Sequence, residues 1–259
     1  MADFNKNRKG TGTKEWSESS FNILNGCPNN CCYCYSKYNA IYRFKSIKDE
    51  NEWIKPKVNM NKVNKKWNKE NGVIMFPTIH DIIPEFIDET ITTLKNMLRP
   101  GNEVLIVSKP RIECIKKICT ELKQFKDNVL FRFTIGNTDN NVLKLIEPGA
   151  PTFEERLKSL KHAYLSGYKT SISIEPLLGG IDELNDIYDA VEVYVTNDIW
   201  VGKMNKIDER VKSNDEKLKK FINYVIKEQT DPKIREIYSE YKNNPFISWK
   251  DSVKQVMGI

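Results

Sequence analysis

The chain has 259 residues, a formal net charge of +6 from 41 Lys plus Arg against 35 Asp plus Glu, and six cysteines. That length buries a full core without staples, residues 1–16 lack the apolar stretch of a signal peptide, and no run approaches a membrane span. A cytoplasmic protein with no membrane association is expected, and in that reducing compartment clustered cysteines bind metal or do redox chemistry rather than form bridges.

In chain order, "FNIL" (21–24) is the first short apolar run, and the loop "GCPNNCCYCYSKY" (26–38) follows it directly. The densest basic stretch, "KPKVNMNKVNKKWNK" (55–69), reads either as a solvated connector or as a nucleic-acid-facing surface. From residue 70 short apolar runs alternate with amphipathic stretches. "GVIMFP" (72–77) predicts a strand, followed by a helix with Pro84 in its first turn and a stop at Gly101. "EVLIVS" (103–108) precedes a predicted helix over 110–126, and "NVLFRFTIG" (128–136) precedes "PTFEERLKSLKHAYLSGY" (151–168). In the latter Thr152 and Glu155 make a capping box, Leu157, Leu160 and Tyr164 line one face, and Gly167 ends the helix. "TSISIEPLL" (170–178), a short helical piece over 182–190 and "VEVYVTND" (191–198) complete six buried-type strands. Strands and helices in this order imply a parallel sheet with right-handed crossovers, either an open six-stranded barrel or a doubly wound sheet. Residues 207–243 read as charged helices.

Cys27, Cys31 and Cys34 follow a C-x3-C-x2-C spacing. Three thiolates on so short a loop suit three irons of a cubane [4Fe-4S] cluster and leave the fourth iron open. Cys32 adjoins Cys31 and points away from it. The alternative is a zinc knot using all four thiols. Structural zinc usually takes two separated ligand pairs, and Cys114 and Cys119, five apart on a predicted helix and about 140° apart around its axis, make a poor second pair.

With Tyr33 just before the last cysteine, this loop resembles the signature of the radical S-adenosylmethionine superfamily. "EWSESSFNILNGCPNNCCYCY", "PTIHDIIPE", "LIVSKP" and "IEPGAPTFEERLKSLKHAYLSGYKTSISIEPLL" resemble its DNA-repair-photolyase-like, spore photoproduct lyase-related subgroup. The resemblance implies an incomplete (β/α)6 TIM-like barrel over 1–206, with a C-terminal helical extension over 207–259 packed on it. It also implies a [4Fe-4S] cluster on Cys27, Cys31 and Cys34, with S-adenosylmethionine chelating the open iron. An external electron donor of flavodoxin or ferredoxin type would then drive cleavage to a 5′-deoxyadenosyl radical that abstracts hydrogen from a substrate. A nucleic acid or nucleotide is the first candidate for that substrate. The rival readings are a non-catalytic iron–sulfur or zinc protein that binds nucleic acid, and a radical enzyme acting on a peptide or small metabolite.

In either sheet architecture the site belongs at the C-terminal strand ends. By the resemblance Tyr33 approaches the adenine of the cofactor; it and Tyr35 could equally shield the cluster from water. Thr78, His80 and Asp81 follow the second strand, where the His and Asp either act as acid and base or bond the backbone. Lys109, after Ser108, is the candidate partner for the cofactor carboxylate; the plainer reading is a lysine at a helix start. Thr134 and Asn137 suit the ribose hydroxyls or merely the turn. Ser171, Ser173 and Glu175 share one face of a strand, and Glu175 there is costly to bury without a role at the site mouth. Asn197, Asp198, Lys203 and Asn205 are placed near substrate, and His162 is read as structural. Spore photoproduct lyase uses a cysteine as hydrogen donor well after the cluster loop. Here Pro77 and Thr78 stand at that place and no cysteine lies between Cys34 and Cys114, which argues against thymine-dimer repair by the same route.

Overall fold

Apolar runs this short, with no polar face, are covered on both sides only when parallel strands pack between layers. A computed structural model, describing Phe4, Arg8 and residues 10–259, has this arrangement. Its strands are β1 (Ser19–Ser20), β2 (Leu24–Asn25), β3 (Lys57–Val58), β4 (Val73–Phe76), β5 (Glu103–Ser108), β6 (Val129–Thr134), β7 (Lys169–Ile174), β8 (Ile199–Val201) and β9 (Ile247–Trp249). Seven form one sheet in the order β1-β4-β5-β6-β7-β8-β9, each neighbouring pair parallel. Order in space follows order in the chain without reversal. The sheet therefore winds one way, as in a (β/α) barrel and unlike a doubly wound sheet, and its unpaired ends leave the barrel incomplete.

Side chains alternate across this sheet. Ile74, Phe76, Val104, Ile106, Phe131, Phe133, Ile172 and Ile174 face outward into the core shared with helices such as Ile87–Leu98, Ile112–Glu121 and Phe153–Leu165. Val73, Met75, Leu105, Leu130 and Trp200 face inward and pack with Phe4 and Trp16. The inner face also holds a buried charge. Arg132 donates to Ser171 Oγ (2.8 Å) and to Asp198 Oδ1 (2.7 Å), with its guanidinium 4.8 and 5.4 Å from the Trp16 and Trp200 ring centroids. Trp200 Nε1 donates to the other Asp198 oxygen, so Asp198 belongs to the barrel floor rather than to a substrate contact.

Three expectations are corrected. The first sheet strand is Ser19–Ser20 rather than "FNIL", because Asn22 turns the chain across the end of β4, accepting from the Thr78 and Ile79 amides at 2.7 and 2.9 Å. Leu24–Asn25 instead forms a small antiparallel ribbon with β3. "VEVYVTND" is not a strand: Leu184, Ile187 and Val191 extend the helical stripe of Ile181–Val191, a 3-10 turn follows, and the strand comes later, at Ile199–Val201. Finally, the region after 206 holds the helices Ile207–Arg210, Glu216–Glu228, Asp231–Tyr241 and Asp251–Met257, but also β9, a seventh strand on the sheet. In the basic stretch, Trp67 packs edge-on against Phe21 (4.9 Å) and is not displayed to an outside base. Among the described residues no helix is long and apolar enough to cross a membrane.

Replacing Arg132 by Met leaves Asp198 buried without its counter-charge. Urea unfolding is expected to show a loss of about 3–5 kcal/mol.

Candidate active site

The strand ends open onto a cavity of about 500 Å³. Cys27, Cys31, Tyr33, Cys34 and Tyr35 form one wall of it; Thr78, His80 and Asp81 after β4, Lys109 after β5, Thr134 on β6, and Ser173 and Glu175 of the β7 segment line the rest. Lys203 and Asn205 also reach it. Asn137 does not line it. Its amide donates to the Leu178 carbonyl and accepts from the Asp139 amide, each at 2.7 Å, so it closes a turn instead of meeting ribose.

The cysteine loop is held by backbone. The Cys27 amide donates to the Trp53 carbonyl (2.9 Å), the Cys32 amide to that of Ile146 (2.9 Å), and the Gly149 amide to that of Asn29 (3.1 Å). Arg111 clamps the same contact, donating to Asn29 Oδ1 (3.2 Å) and the Gly149 carbonyl (2.6 Å). Cys34 caps the helix Tyr35–Tyr38, its sulfur accepting from the Lys37 amide at 3.4 Å. No cysteine is in a disulfide. Burial pushes the Cys27 thiol up to about 12, and raises Cys31 and Cys34 as well. Cys32 lies off the cavity and packs by the cluster of Leu143, Ile146 and Leu178.

His80 is engaged on both nitrogens. Nε2 accepts from the Ile23 and Leu24 amides (3.2 Å each), which fixes the proton on Nδ1, 3.0 Å from the Asp81 carbonyl that accepts it. Burial pushes its pKa down to about 4. A neutral ring tied to three backbone groups pins β2 to the end of β4 and has no site left for acid–base exchange. Asp81 is likewise a tether. It accepts from Asn29 Nδ2 (2.8 Å), Ser108 Oγ (3.0 Å) and the Lys109 amide (2.7 Å). Burial opposes its ionisation, but the Lys109 charge and these hydrogen bonds outweigh it and hold the carboxyl below its usual range.

Lys109 Nζ stands 3.9 Å from Asp81 and 3.8 Å from Glu147, beyond hydrogen-bond length of both, and 5.7 Å from the Tyr33 ring centroid. Tyr33 donates its hydroxyl proton to Glu147, and Arg156 donates to the other Glu147 oxygen. Neither Glu147 nor Arg156 stood out in the sequence. The available signal was Arg156 itself, a charge on the same buried helix face as Ser159, Leu160 and Ala163, which requires a buried partner. Across the cavity, Glu175 meets Lys250 Nζ at 3.4 Å. Burial still raises the Glu175 carboxyl above its usual range, and the charge of Lys250, in the C-terminal segment, offsets only part of that cost. Tyr35 donates to the Thr78 carbonyl (2.9 Å) under the Arg210 guanidinium.

A family model described as Radical SAM superfamily matches residues 21–193. An uncharacterized protein of Acidianus two-tailed virus is 26% identical over 192 residues, 70% of this chain and 63% of that one. An uncharacterized protein of Methanocaldococcus jannaschii is 27% identical over 159 residues, 59% and 58% of the two chains. The chain thus spans about three fifths of the length of the curated relatives it matches. Among solved structures, a mutant of spore photoproduct lyase superposes with a TM-score of 0.58 at 12% identity, over 95% of this chain and 78% of that one. Spore photoproduct lyase complexed with dinucleoside spore photoproduct gives 0.54 at 15% identity, over 89% and 66%.

Two outcomes follow from the loop geometry. A Cβ on Gly149 would sit 2.1 Å from the Pro28 carbonyl oxygen, so Gly149→Ala must push the cysteine loop away. It is expected to cost about 1–3 kcal/mol and to make Cys27 and Cys31 alkylate faster in the native chain, read by mass spectrometry. The unfolded chain protonates His80 near 6.5 whereas the folded chain resists until about 4, so its contribution is present above 6.5 and fades as pH falls toward 4. Wild type should lose about 3 kcal/mol over that window relative to His80→Gln in parallel denaturation series.

Proposed function

The chain belongs to the Radical SAM superfamily, and on that premise we propose that it is an enzyme holding one [4Fe-4S] cluster on Cys27, Cys31 and Cys34, with S-adenosylmethionine beside it. The observation that carries this reading is the opening of Cys27, Cys31 and Cys34 onto one cavity that Lys109 also lines. The donor set fits. Cys27, Cys31 and Cys34 are free thiols that line one cavity, and a cubane takes one thiolate on each of three irons. Once bound, and reduced by one electron from a flavodoxin- or ferredoxin-type donor, the cluster and cofactor supply a 5′-deoxyadenosyl radical for hydrogen abstraction.

The protein's own residues bind and orient. Lys109, held charged between two carboxylates without a hydrogen bond to either, offers its donors to the cofactor carboxylate. Thr134, Ser173 and Glu175 present polar groups along the strand ends for its nucleoside part, and the Tyr33 and Tyr35 rings exclude water around Cys34. His80 and Asp81 support this wall rather than exchange protons with substrate. For the substrate we favour a nucleotide or nucleic acid: Lys203 and Arg210 line the cavity, Arg210 over the Tyr35 ring, the chain carries net positive charge, and a protein of the same fold is known with a dinucleoside bound. Pro77 and Thr78 line the wall just past β4, so any hydrogen return to a substrate radical there takes a route without a cysteine.

Anaerobic reconstitution should give about four irons per chain and, with S-adenosylmethionine and dithionite, 5′-deoxyadenosine. Alanine at Cys27, Cys31 or Cys34 should abolish its formation, whereas Cys32→Ala should retain it. Stoichiometric zinc without iron would overturn the reading.

A further inference from the structure

Glu147 lies outside the strand ends, its side chain 0% exposed, yet it touches the cavity wall at two points. One oxygen accepts from Tyr33 and stands 3.8 Å from Lys109 Nζ; the other accepts from Arg156. Arg156 is anchored in turn, donating to the Pro151 carbonyl (2.9 Å) and the Thr134 carbonyl (3.3 Å). Asp81, Lys109, Glu147 and Arg156 therefore form a buried series of alternating charge that begins against the cysteine loop and ends in the backbone of β6. A carboxylate needed only to neutralise Arg156 would have no reason to reach Tyr33 and Lys109. The peptide groups around it bind the loop as well, through the Ile146 carbonyl to Cys32 and the Gly149 amide to Asn29.

We propose that Glu147, backed by Arg156, is a positioning residue for S-adenosylmethionine: it draws the Lys109 ammonium away from Asp81 and fixes the Tyr33 ring, so that Lys109 faces the cavity already oriented for the cofactor carboxylate. This rests on the reading of Lys109 given above. Without Glu147 the ammonium has one carboxylate neighbour left, Asp81, and collapses onto it, while the Tyr33 hydroxyl loses the acceptor that holds the ring.

The test is S-adenosylmethionine binding to anaerobically reconstituted protein by equilibrium dialysis, alongside iron content and thermal midpoint. E147Q should raise Kd about tenfold, as loss of an outer partner typically does, with iron content unchanged. K109A should raise it at least as far, and E147Q should add nothing in the K109A background. Should E147Q fold poorly because Arg156 is left unpaired, E147Q/R156M removes both charges and carries the same expectation. Wild-type Kd in E147Q beside a weakened K109A overturns this inference alone; wild-type Kd in K109A overturns the assignment of Lys109. Independent, additive effects of the two substitutions, or failure of both Glu147 variants to fold, would make Glu147 a structural residue and also overturn the inference.

Discussion

The site depends on one close approach of backbone to backbone. The loop carrying Cys27, Cys31 and Cys34 has almost no regular structure, and its shape is set where Pro28 and Asn29 lie against Gly149 with no room for a side chain between them. Around that contact the amides of Cys32 and Gly149 and the guanidinium of Arg111 supply hydrogen bonds that a disordered loop would have given to water. Three thiols are thereby presented to one cavity without a bridge between any of them. Because the contact joins the first loop of the barrel to the segment after the helix Asn140–Ile146, the cysteine wall is built by tertiary packing and not by local propensity.

Charge is handled differently on the two sides of the cavity. Beside the cysteines, Asp81, Lys109, Glu147 and Arg156 alternate in sign, so each buried group meets its opposite and the series is neutral overall. On the opposite side Lys250 is buried against Glu15, lies 3.4 Å from Glu175 and 4.0 Å from the Trp16 ring centroid, and donates to the Gly12 carbonyl at 2.8 Å. One ammonium there ties the N-terminal segment to the strand ends, where pairing is the only inexpensive way to bury it.

Much of this was legible in the sequence, and what was not has physical causes. The cysteine spacing and the apolar runs of β4, β5, β6 and β7 are local signals, and the structure places them as expected. Cavity residues such as Thr78, Lys109, Ser173 and Glu175 follow from strand ends, since the position after a parallel strand is set by topology. The misses arise where distant parts of the chain decide the outcome. "VEVYVTND" alternates like a strand, but its first residue completes a helical stripe begun at Leu184. Ile247–Trp249 is too short to read as a strand until β8 offers it an edge. Glu147 sits in an irregular loop and Lys250 just past a three-residue strand, where no periodicity marks a charge as buried. His80 was visible as a candidate, but its role turned on two amides more than fifty residues away.

These misses fall on residues whose side chains join separate segments. Strand ends give a barrel its cavity, yet they do not by themselves orient an ammonium or hold a loop; those tasks need a second group behind the first. Here that group comes from the β6–β7 connection on the cysteine side and from the C-terminal segment on the other. A chain that stopped after β8 would keep every cysteine, but the sheet would lose β9, and Glu15, Glu175 and the Gly12 carbonyl would lose Lys250. The segment after residue 206 is thus part of the site's architecture: β9 extends the sheet by one strand, and the residue that follows β9 delivers its charge to the cavity.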